Sequence, residues 1–237
     1  MTSRASEIYR VLKENFERPV LPSLFKDPFQ VLVITVISQN TNDLNTERAY
    51  RNLEERGLLS PEAVLKASVE ELEDALRVAG LYRNKARRLK ELAEVTMEEY
   101  GGDLSKLLEL PLEEARRRLL ELPGVGYKTA DVVLLFCGRR PVIPVDTHVN
   151  RTAKRLGLAS PRAGYEEVRL SLQSLYPSDP ELYLDLHLLL ISLGRKYCKA
   201  GRPLCDRCPL SHLCPSASSE RSSFKDVGAV SRRGSAQ

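Results

Sequence analysis

Apolar residues recur at helical spacing along most of the chain. Ile8, Leu12 and Phe16 repeat at i, i+4 and i+8 and mark one face of a first helix. Asp27-Pro28 combines a capping carboxylate with a proline at the first helical position, where its missing N–H costs nothing, ahead of the apolar run FQVLVITVIS. Ser60-Pro61 repeats that device before EAVLKA, and Ser68 with Glu71 forms a capping box for a helix predicted to run to Ala79 before Gly80. A further helix is predicted from about Asn84 to Tyr100, stopping at Gly101-Gly102. The β-like run PVIPV, residues 141–145, contains two prolines that argue against a strand. The pattern predicts an all-α protein without internal repeats. From Ser216 the composition turns to small and polar residues, so 216–237 is expected to be a flexible tail.

The most informative stretch is LLELPGVGYKTADVVLLF, residues 119–136. An amphipathic helix ends at Leu122, Pro123-Gly124-Val125-Gly126 turns the chain, and a second helix starts near Tyr127. Amides at that new N-terminus point outward with the positive end of the helix dipole, a surface suited to phosphate. A purely structural helical hairpin can use Pro-Gly as well. The pattern is stricter than that, because Leu119, Leu122, Ala130 and Val133 fall where two short helices must pack. Lys128 lies in the first turn of the second helix, where the dipole favours the neutral amine that nucleophilic attack requires. An ordinary phosphate contact is the competing role for it. Eighteen residues on, PVDTH places Asp146 at the N-cap of the predicted helix VNRTAKRLGL. A capping carboxylate held in this way can also stabilise positive charge developing on a deoxyribose.

Composition narrows the class. The 237 residues carry 36 Lys and Arg against 32 Asp and Glu, a net charge of +4 that suits a polyanionic partner without establishing one. No apolar run approaches the roughly 20 residues that span a bilayer, and the N-terminal stretch has the wrong charge pattern for a secretory signal. A soluble, intracellular protein is expected. Four of the five cysteines crowd into Cys198-x6-Cys205-x2-Cys208-x5-Cys214, which in a reducing compartment points to metal rather than disulfides. Zinc is the competing reading, since four-cysteine zinc sites are common, but zinc modules usually use two close pairs, a division that this spacing does not make. Lys196, Lys199, Arg202 and Arg207 would help offset thiolate charge. Cys137, alone in VVLLFC, is expected to be a buried structural thiol.

Together, LPGVGYKTADVVL, the interval to VDTHVNR and the cysteine spacing resemble the endonuclease III family of helix-hairpin-helix DNA glycosylases. The resemblance covers about residues 25–215. It implies two lobes, a helical barrel over 20–140 and an iron–sulfur lobe made of 1–19 with 141–215. It implies a bifunctional enzyme in which Lys128 attacks C1′ of the lesion nucleotide and Asp146 assists. Base release through a covalent imine is then followed by β-elimination of the 3′-phosphate. Cys198, Cys205, Cys208 and Cys214 would hold a 4Fe–4S cluster. DNA contacts would come from Gly124, Val125, Gly126 and Thr129 of the hairpin, from His148, and from Lys199 and Arg202 of the cluster loop.

Gln39 would pair with the orphaned base and Leu81 would serve as an apolar wedge, although plain core packing is the commoner role of a leucine. Arg83, Lys85, Arg87, Arg88 and Lys90 form a basic helix, read either as a phosphate-binding face or as a solvated surface. Tyr127 departs from the family pattern, which often has arginine there, and bears on the pocket edge. The expected partner is double-stranded DNA containing damaged bases or abasic sites, met by a monomer in a prokaryotic cytoplasm, on the nucleoid, with no membrane involved. Oxidised pyrimidines of the thymine glycol type are the expected substrates. A T/G or U/G mismatch glycosylase and a non-catalytic iron–sulfur DNA-binding module are the alternatives.

Overall fold

Capping chemistry sets the helix starts in the computed structural model, which describes residues 3–19 and 26–217. Every regular element among them is helical. The chain divides into two compact units, residues 21–141 and residues 1–20 with 142–237. Of the tail expected from residue 216, residues 218–237 lie outside the described residues, whereas Ala217 is buried and Ser216 donates to Arg155 O at 3.0 Å.

The unit of residues 21–141 contains α2 (Pro28–Ser38), α3 (Asp43–Glu55), α4 (Pro61–Lys66), α5 (Val69–Leu76), α6 (Tyr82–Tyr100), α7 (Ser105–Glu109), α8 (Leu112–Glu121) and α9 (Tyr127–Val132). Asp27 caps α2 through the amides of Phe29 and Gln30, and Ser60 and Ser68 cap α4 and α5. Each bond satisfies a backbone donor that the helix itself cannot. Val31, Leu32, Val33, Val36 and Ile37 of α2 are buried with Leu72, Leu76, Leu89 and Leu92 to form the core. The helix expected to reach Ala79 stops at Leu76 and tightens into a 3-10 turn, Arg77–Ala79. The next helix begins at Tyr82, two residues earlier than the sequence suggests. After α9 the chain widens into a π-helical turn, Val133–Cys137. Cys137 there is only half-buried rather than enclosed, yet burial pushes its thiol up to about 12, followed by the nearby Asp27 carboxylate, which keeps it an inert thiol.

The other unit contains α1 (Ser3–Asn15), α10 (Thr147–Arg155), α11 (Tyr165–Leu175) and α12 (Pro180–Lys196). Ile8 and Leu12 of the α1 stripe are fully buried, and the Phe16 ring meets Tyr197 edge-on at 6.0 Å. The 141–145 segment is an extended loop without strand pairing, and Val142, Ile143 and Val145 are buried. Among the described residues no helix is long and apolar enough to cross a membrane.

Candidate functional site

The hairpin is locked from inside. α8 buries Ala115, Arg116 and Leu119, and α9 buries Thr129, Ala130, Asp131 and Val132. Arg116 Nε donates to Asp131 Oδ1 at 2.6 Å and a second guanidinium nitrogen donates to Oδ2 at 3.2 Å, a two-pronged pair that ties the helices together. The Arg116 guanidinium also lies 5.3 Å from the centroid of the Tyr127 ring. This pair is not legible as a motif in the sequence. Its signal was present, because Arg116 shares the apolar face of Ala115 and Leu119 and a charge there needs a partner.

The turn itself depends on Gly124, whose φ of +77° lies in the left-handed region. A β-carbon there would come 2.7 Å from Arg88 Nη1 and 3.0 Å from Arg88 Cδ, so α6 lays an arginine directly against the turn. Gly126 and Lys128 are exposed, Gly124 and Val125 half-exposed. Lys128 therefore stands at the accessible start of α9, as expected. Thr129 does not: it is 7% exposed, so its hydroxyl is turned away from solvent and only its first-turn amide suits a phosphate.

In the other unit, Asp146 caps α10, its Oδ1 accepting from Val149 N at 2.7 Å. His148 is half-buried against α12, where a β-carbon on Gly194 would come 2.8 Å from its Nδ1. Arg151 Nη2 lies 3.0 Å from that Nδ1, and because arginine only donates, Nδ1 accepts and the ring proton is on Nε2.

The four clustered cysteines line one cavity, shared with Arg155, Leu193 and Leu204. Four sulfur donors lining one cavity are the ligand set that a 4Fe–4S cluster takes. Burial pushes the Cys208 thiol up, and neighbouring Cys198 and Cys214 push the same way against a lowering bond from the Leu210 amide. Binding as thiolates at this closeness would need a cation among them to offset the charge.

Arg155 Nη1 reaches Cys198 Sγ at 3.5 Å and Lys199 O at 2.7 Å, while Nη2 reaches Ala200 O. Arg151 Nε donates to Cys198 O at 2.8 Å. These two arginines of α10, rather than the lysines and arginines beside the cysteines in sequence, hold the loop. Lys199 and Arg202 are exposed on it.

Gln39 and Leu81 are both exposed, Leu81 by 56%. Leu81 has a φ of +49°, and Asn40, directly after Gln39, has +54°, so both segments hold a non-glycine residue in the left-handed region. The basic helix is less uniform than its sequence. Lys85 is buried and donates to Ala79 O at 2.8 Å, and Lys90 donates to Leu65 O and Ala67 O at the end of α4. Arg83, Arg87 and Arg88 are the exposed cations.

Residues 33–178 match the model of the HhH-GPD superfamily of base excision DNA repair proteins, and residues 198–214 match the iron–sulfur binding domain of endonuclease III. Endonuclease III of Thermotoga maritima is 40% identical over 188 residues, 79% of this chain and 83% of that protein. Endonuclease III of Sulfolobus acidocaldarius is 34% identical over 209 residues, 88% and 91% of the two chains. A solved structure of a trapped endonuclease III–DNA covalent intermediate superposes with a TM-score of 0.75 at 32% identity, covering 93% of this chain and all of that one.

Proposed function

The chain belongs to the endonuclease III family of the HhH-GPD base excision repair superfamily, and on that premise we propose that it removes oxidised pyrimidines of the thymine glycol type through a Schiff base on Lys128. It is a DNA glycosylase with lyase activity at abasic sites, and it carries a 4Fe–4S cluster. The observation that carries the proposed mechanism is the exposed Lys128 in the first turn of α9, directly after a turn shaped by Gly124.

In this mechanism the neutral Lys128 amine attacks C1′ of the damaged nucleotide, and the C1′–base bond breaks with its electron pair leaving on the base. Asp146, oriented by its cap bond to Val149, stabilises the positive charge that develops on the sugar. The sugar ring opens as the imine forms. Loss of a C2′ proton then expels the 3′-phosphate. Gly124, Val125, Gly126 and the Thr129 amide grip the backbone, His148 can donate from Nε2, and Lys199 and Arg202 add cation contacts. Gln39 and Leu81 occupy the space that the extruded base vacates. Cys198, Cys205, Cys208 and Cys214 hold the cluster, which when bound orders the loop between them.

Borohydride trapping on duplexes carrying one thymine glycol, one abasic site, or a T/G or U/G mismatch tests the proposal. A covalent adduct is expected on the first two and none with Lys128→Ala. An undiminished adduct from that variant would remove the mechanism, and excision only at mismatches would replace the substrate class.

A further inference from the structure

Asp146 is reached through a loop whose backbone is pinned at one peptide. Pro144 fixes its own φ near −65°, so the peptide joining Pro144 to Val145, two residues ahead of the Asp146 cap, turns only through Pro144 ψ and Val145 φ. Both poles of that peptide are taken by side chains. The Pro144 carbonyl lies 3.0 Å from Nδ1 of His187, and the Val145 amide donates to the Tyr165 hydroxyl at 3.2 Å. A carbonyl only accepts, so His187 Nδ1 carries its proton. His187 is 3% exposed, in the middle of α12, and Tyr165 opens α11. Buried Val142, Ile143 and Val145 hold the flanks of the loop.

A peptide with free poles can rotate as a unit at small cost, carrying the next residue with it. Here such a rotation would break two hydrogen bonds, one of them to a buried ring. The consequence falls on Asp146. Its Oδ1 is committed to Val149 N, and among the described residues no side-chain or backbone donor is recorded on Oδ2. The direction in which Oδ2 points follows from that cap bond together with the backbone that leads into it. We infer that His187 and Tyr165 form a clamp on the Pro144–Val145 peptide and act as positioning residues for the Asp146 carboxylate. The inference rests on the role proposed above for Asp146.

Single-turnover base excision by the cluster-loaded protein, with DNA affinity and melting temperature measured alongside, tests the clamp. Tyr165→Phe keeps the ring and removes the hydroxyl, His187→Leu removes the donor, and His187→Gln returns an amide that can donate to Pro144 O. Misplacing a reacting group slightly costs rate rather than binding. We expect a loss of about tenfold for Tyr165→Phe and His187→Leu with DNA affinity within about twofold. His187→Gln should recover most of the rate. Combined with Asp146→Asn, neither change should lower the rate further, because the group being positioned is already gone. Losses that multiply with Asp146→Asn, or a lowered melting temperature with an intact rate, would overturn the clamp. A wild-type rate for Asp146→Asn alone would instead remove the role of Asp146, and the clamp's purpose with it.

Discussion

The hairpin and the cysteine loop both present backbone and cations to a polyanion, yet they are held in opposite ways. The hairpin is rich in buried groups: Leu119, Leu122 and Ala130 are enclosed, and the buried Arg116–Asp131 pair ties α8 to α9. In the loop from Cys198 to Cys214 only Leu210 is buried, and regular structure is confined to a 3-10 turn at Cys205–Arg207. Its carbonyls are taken from outside, Cys198 O by Arg151, Lys199 O and Ala200 O by Arg155, and Leu213 O by Arg4. A segment without a core cannot offset its ordering entropy by burial, so bonds to a central group must do so. One element is fixed by packing, the other by ligation.

The largest effect should come from removing the ligation. With Cys208→Ser, the amides of 198–214 should lose hydrogen-exchange protection together with the cluster's visible absorbance, while those of α8 and α9 keep theirs. A loop that stayed protected without iron would show that Arg151 and Arg155 suffice, and the contrast would fail. Next in size is the hairpin's ion pair. Asp131→Asn leaves the buried Arg116 guanidinium without its carboxylate and should cost about 3–5 kcal/mol in denaturant unfolding. Replacing both, as Arg116→Met with Asp131→Leu, should cost much less, since the penalty lies in the stranded charge rather than in the lost attraction. Equal losses from the single and double changes would mean that the pair itself, not apolar packing, holds the hairpin.

The two regions also differed in how much of them could be read from the sequence. Helix starts at Asp27, Ser60, Ser68 and Asp146 were legible because a cap is a local device, made by residues two or three positions apart. Lys128 and the cysteines were legible as motifs with fixed spacing. Arg116 with Asp131, Arg155 with Cys198 and His187 with Pro144 were not, because each pair is made across 15, 43 and 43 residues by the packing of separate segments. Lys85 and Lys90 show the same gap from the other side. Their charge read as surface, but the turns they approach leave carbonyls at Ala79, Leu65 and Ala67 that need donors. Thr129 likewise sits within a motif of accessible residues, and the pitch of α9 turns it inward.

The smallest effect should come from the hairpin turn, and it sharpens the contrast most finely. Gly124→Ala meets two penalties of different kinds. At a φ of +77° an alanine is strained whatever surrounds it, by about 1–2 kcal/mol. Its β-carbon would also crowd Arg88, but the atoms in the way are Nη1 and Cδ of a long side chain that can swing aside. Adding Arg88→Ala should therefore recover little of the stability lost in Gly124→Ala, because the backbone term remains. If the hairpin is held by its own interior, α8 and α9 should stay as protected from exchange as before while the turn amides at Gly124 to Gly126 open. A loss that Arg88→Ala fully restored would place the constraint in the contact with α6, making the hairpin, like the cysteine loop, a segment fixed from outside.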